Sequence, residues 1–112
     1  MVLDNFIEQE IGGKKYKLCL SNMAIFKAER ELASGKLMLM LRDLPPSMGD
    51  LFTLFKWSLI GGGTVVGEEK AFELYLQLTS EVGSTAVFNI ILETLKKAGI
   101  LSENPKQAAP SA

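Results

Sequence analysis

A chain of 112 residues with 47% apolar character has material for one hydrophobic core and not for two. Twelve basic against thirteen acidic residues leave a net charge of −1, which argues against a general attraction to nucleic-acid phosphates. Histidine is absent and Cys19 is the single cysteine, so His-containing triads, ordinary zinc sites and an intramolecular disulfide are all excluded.

The start of the chain, Met1 to Glu8, has neither a basic region nor a long apolar stretch and is not expected to act as a secretory signal. The first element is read as a hairpin. Phe6–Ile11 leads into Gly12-Gly13, Lys14–Leu20 leads out, and Gly-Gly suits the positive backbone angles of a two-residue type I′ turn. Tyr16, Leu18 and Leu20 then share one face, with Lys15, Lys17 and Cys19 on the other. A lone hairpin is marginal in water, so helices or a partner must cover its apolar face.

Ser21 or Asn22 caps the helix that follows, in which Ile25, Phe26, Glu29, Leu32 and Ala33 recur at helical spacing. Ser34-Gly35 is its expected stop. Lys36–Arg42 contains the run Leu37-Met38-Leu39-Met40-Leu41, read as a short helix buried on several sides, and Pro45-Pro46 ends it. Ser47-Met48-Gly49-Asp50 has the form of a capping box and opens a helix carrying Leu51, Leu54, Phe55, Trp57, Ser58 and Leu59. This helix closes at Gly61-Gly62-Gly63, a stretch that is either flexible or carries an unusual backbone path.

After Thr64–Gly67, a further helix has Ala71, Phe72, Leu74, Tyr75 and Leu78 as inward candidates, with Glu68 and Glu69 at its positive dipole end. Gly83 interrupts, and Ser84 is a candidate cap for the last helix. There Val87, Phe88, Ile91, Leu92 and Leu95 form the clearest amphipathic stripe, Lys96 and Lys97 complement the dipole, and Gly99 closes the turn. Ile100-Leu101 is expected to fold back on the core. These elements make a mainly α domain of α+β type, an N-terminal β-hairpin followed by a compact bundle of four to five short helices. The single domain spans residues 1–101, with the hairpin at about 6–20 and the helical part at 21–101; residues 102–112 have the composition of a disordered tail.

Glu68, Glu69 and Asp43 lack EF-hand spacing and read as surface carboxylates. Glu29 falls within the first helix's apolar stripe and is read as a core-edge group bonded to backbone or a lysine, since no second acid or base accompanies it. Gly61-Gly62-Gly63-Thr64 fits neither the P-loop nor the dinucleotide pattern and is read as an interhelical linker. Cys19 has no histidine to activate it, so a packed cysteine is preferred to a nucleophile. The expectation is a protein that is not an enzyme and uses no cofactor or metal, binding neither nucleic acid nor membrane; a small helix-turn-helix regulator or an unrelated adaptor are the alternatives.

Two features favour protein binding. The hairpin has edges open to another strand, and the Leu37–Leu41 and Leu51–Trp57 region carries more apolar side chain than a small helical domain easily hides. Leu37, Met38, Met40, Phe52 and Phe55 are the contact candidates, the methionines because they adapt to varied apolar surfaces.

The succession Gly12-Gly13-Lys14-Lys15-Tyr16-Lys17-Leu18 and then Ala24–Glu29 resembles the start of tail assembly chaperones from long-tailed phages and prophages. Those proteins often begin with a short strand pair and a helix that bears a glutamate and ends near glycine, places matched by Glu29 and Gly35. Leu51–Leu59 with Trp57 looks like their aromatic-rich helix and Phe88–Gly99 like their closing helix, so the likeness covers residues 6 to 101. It implies a protein of the bacterial host cytoplasm that binds the tape-measure protein, and in some cases the tail-tube protein, until the tube polymerises. It also implies self-association or association with a longer, frameshifted form of the chain.

Overall fold

In the computed structural model, which describes residues 6–32 and 47–99, strands β1 (Ile7–Ile11) and β2 (Lys14–Leu18) pair antiparallel, Ile7 opposite Leu18 and Ile11 opposite Lys14. The turn between them needs two consecutive positive φ angles, and Gly12 and Gly13 supply 62° and 83°. Alternation then sorts the side chains. Ile11 and Leu18 are buried, whereas Glu8 faces Lys17 and Glu10 faces Lys15 on the solvated side.

Ser21 caps α1 (Asn22–Glu29), its Oγ accepting the Ala24 N–H at 3.2 Å. The buried face is Ala24, Ala28 and Leu32, with Ile25 packed against its edge; of the expected stripe Leu32 and Ile25 do turn inward, whereas Phe26 is 57% exposed. Small side chains at Ala24 and Ala28 let the backbone of α1 come close to its neighbour, and Phe26, two residues on from Ala24, is turned nearly opposite. The regular helix also stops sooner than its composition suggests. After Glu29 the N–H groups of Glu31 and Leu32 reach back only three residues, to Ala28 and Glu29, and this tighter turn carries Leu32 into the core. The expected stop at Ser34-Gly35, the Leu37–Leu41 helix and the Pro45-Pro46 break lie outside the described residues, as do Ile100-Leu101 and the tail.

Helix α2 (Met48–Gly61) starts at Ser47, whose Oγ accepts the Asp50 N–H at 3.1 Å. Leu54, Phe55 and Leu59 form its buried side. Its C-terminus is docked on the end of β2: the Cys19 N–H donates to the Ser58 carbonyl at 2.9 Å. A side chain at Gly61 would strike the Cys19 carbonyl oxygen, and one at Gly62 the Lys17 carbonyl oxygen. The triple glycine is therefore a close contact between helix and strand backbone at its first two positions. It is more than a linker.

Helices α3 (Glu68–Val82) and α4 (Ser84–Lys97) are separated by Gly83 alone. At φ 92° and ψ 158° this residue occupies a region essentially reserved for glycine, and it reverses the chain in one step. No side chain caps α4; Ser84 lies inside the helix and the Gly83 carbonyl accepts the first turn's bond from Val87 N–H, so the expected serine cap is replaced by the glycine junction. Ala71, Leu74, Tyr75 and Leu78 of α3 and Val87, Ile91 and Leu95 of α4 complete one core with the hairpin, α1 and α2. Among the described residues the protein is thus an N-terminal hairpin followed by a bundle of four helices.

Candidate interaction surface

Where α2 and α3 run antiparallel, their inward residues leave a second apolar row at the surface. On α2, Met48 and Phe52 sit one turn apart, Met48 67% exposed and Phe52 half-buried. On α3, Phe72 and Leu76 have the same spacing and are both exposed, Phe72 at 47%. Phe72 was among the inward candidates. It lies outside because the narrow buried face of α3 is centred on Ala71, Leu74 and Leu78, leaving the Phe72 direction at its margin.

Phe52 ties the row to the core. Its ring lies 5.4 Å from Phe72 at 88° and 5.7 Å from Tyr75 at 71°, both edge-to-face, while Phe55 packs on Tyr75 from below at 5.6 Å. The result is an open groove of about 560 Å³ lined by Phe52, Phe72, Glu68 and Glu69. Phe52 is held by its contact to the buried Tyr75 ring, so little of its side-chain freedom remains to be lost when something covers the groove.

A polar cluster stands beside the groove. Lys56 is 8% exposed, and its Nζ donates to Glu31 at 2.7 Å and to Glu68 at 3.3 Å. The Trp57 indole N–H donates to the same Glu31 oxygen at 3.1 Å. Burial pushes the Glu31 carboxyl up, but the hydrogen bonds from Lys56 and Trp57 and the lysine's charge together outweigh it and leave the pKa below its ordinary value. Lys27 and Lys56 lie 5.7 Å and 5.2 Å from the Trp57 ring centroid. Lys56 and the Trp57 N–H both have acceptors, so the cluster reads as a clamp joining the end of α1, the middle of α2 and the start of α3. Among the described residues no buried side-chain polar atom lacks a partner, and no group of three or more Cys, Asp or Glu is placed to hold a metal ion.

Of the two contact candidates among the described residues, Phe52 lies half-buried at the surface. Phe55 is 0% exposed and fills the centre of the core, so it does not reach another chain; three residues on from Phe52 it falls short of a full turn and lies on the buried face it shares with Leu59. Leu37, Met38 and Met40 lie outside the described residues. Cys19 is buried, and burial pushes its thiol up, away from the reactive thiolate. Glu29 is half-buried at the core's edge. Sequence reasoning missed Met48, Phe72 and Leu76. Their signal was present as two i, i+4 apolar pairs displaced from each helix's main stripe.

No helix among the described residues is long and apolar enough to cross a membrane. Compared with known proteins, the chain matches no family model, no curated sequence and no solved structure.

Proposed function

We propose that this protein is a tail assembly chaperone of a long-tailed phage or prophage, holding the tape-measure protein, and in a second role the tail-tube protein, in the host cytoplasm before the tube polymerises. The observation that carries a binding role is the groove of Phe52 and Phe72 with Met48 and Leu76 beside it: four apolar side chains kept at the surface of a small domain whose core is otherwise well filled. The identity of the client rests on the resemblance in element order, from the Gly12-Gly13 hairpin through the Glu29 helix to the closing helix at Gly99. No catalytic step is proposed: the buried Lys56 is occupied by Glu31 and Glu68.

Co-expression with the neighbouring tape-measure protein, followed by size-exclusion chromatography, tests the proposal. A co-eluting complex at micromolar concentration is expected. Separate elution of two folded proteins would contradict it.

A further inference from the structure

We infer that the groove between α2 and α3 takes a basic amphipathic helix of another protein, its apolar stripe on Phe52 and Phe72 and its lysines or arginines along Glu69 and Glu73. This deepens the binding role proposed above and rests on it.

The first ground is shape. Phe72 and Leu76 repeat along α3 at i, i+4, and Met48 and Phe52 repeat along α2 at the same spacing. Two antiparallel helices with such rows form the trough into which a third helix lays side chains at i, i+3 or i+4, and i+7.

The second ground is charge. Glu69 and Glu73 each stand three residues before an apolar member of the α3 row, so a line of carboxylates runs parallel to it on its outer side. Glu69 is exposed and has no ion-pair partner among the described residues. Glu73 meets Lys70 only at 3.9 Å, both side chains well exposed, an arrangement of little strength. Glu68, at the groove's inner end, is turned to Lys56. The rim thus repels phosphates and acidic peptides and favours cations, which selects among helices by electrostatic complementarity. A second copy of this chain fits poorly, since a two-fold contact through this groove sets the Glu69 and Glu73 rows of both copies in one interface.

A displayed library of 20-residue amphipathic helices, with a fixed apolar stripe and randomised flanks, is the probe, selected against the whole protein. Expected is enrichment of Lys and Arg over Asp and Glu at the flanks by roughly threefold to tenfold, the scale of one or two exposed ion pairs. The exposed double substitution Glu69→Lys with Glu73→Lys reverses that preference. Phe72→Asp removes selection altogether, and Phe72→Ser does the same with less disturbance, each with helicity retained by circular dichroism. No enrichment over the starting pool, enrichment indifferent to the charge reversal, or selection that survives both Phe72 variants overturns the inference. So does a wild-type dimer that Phe72→Ser converts to monomer, which would assign the groove to a second copy. A protein that binds tape-measure protein yet shows no such selectivity retains the chaperone role and loses this one; one that selects basic helices but ignores tape-measure protein does the reverse.

Discussion

Individual residues divide sharply by what surrounds them, and Phe55 and Phe72 make the contrast. Both are phenylalanines on α2 or α3, but Phe55 is enclosed and Phe72 half open. Phe55→Ala is expected to cost about 3–5 kcal/mol in urea unfolding, through lost transfer energy and an unfilled cavity, whereas Phe72→Ala should cost under about 1.5 kcal/mol. Gly62→Ala presents the opposite problem. Its added methyl meets the backbone carbonyl of Lys17, which has no rotamer to change, so β2 and α2 must part. A loss of roughly 2 kcal/mol is expected, the scale of overpacking, and the same substitution at the unobstructed Gly67 serves as control. At Glu31 the effect depends on pH. Its folded pKa lies below the unfolded value, so its contribution is present above about pH 4.3 and is lost as pH falls through the lower folded value. Glu31→Gln should therefore destabilise the protein slightly at pH 7, by under about 1 kcal/mol because the carboxylate is partly solvated, and the difference should vanish in acid. A gap that widens on acidification would contradict the clamp.

At the level of elements, the turn of the hairpin is fastened to a helix far away in sequence. The Gly12 N–H donates to both carboxylate oxygens of Glu81, at 3.2 and 2.9 Å, and Gln77 donates to Glu81 at 2.8 Å. A carboxylate so near the C-terminus of α3 is disfavoured by the helix dipole, and its bond to the turn offsets that cost. Glu81→Ala is expected to raise amide exchange in β1 and β2 several-fold more than in α2, with a total stability loss of about 1 kcal/mol. Much of this architecture was legible in the sequence because local chemistry dictated it: Gly-Gly for the turn, Ser21 and Ser47 as caps, and period 3.6 for α4. What was not legible depended on partners. The face that α1 buries is decided by how closely Ala24 and Ala28 let it approach α2, and an alanine stripe is quieter than one containing Phe26. The role of Gly61 and Gly62 as a backbone contact depends on β2, more than forty residues earlier, which no local pattern reveals. The groove was half legible, since Phe52 was singled out but Phe72 was assigned to the core. Among the described residues the hairpin and the four helices were foreseen; that Phe72 and Leu76 of α3 stay exposed was not.

For the whole molecule, the net charge is near neutral, and the described residues enclose one apolar core. The clamp around Lys56 is satisfied within the chain and Cys19 is buried, whereas Phe52, Phe72, Met48 and Leu76 spend apolar surface on solvent. That surface is the basis for proposing a holding function and for the client's expected chemistry. Its most direct test is the affinity of tape-measure protein for the wild type and for Phe72→Asp, measured by isothermal titration calorimetry with folding followed in parallel by circular dichroism. Loss of at least about tenfold in affinity, the effect of an interface anchor worth more than about 1.4 kcal/mol, with helicity unchanged, is the expected result. Equal affinity for the two proteins, both folded, would contradict the assignment of binding to this groove.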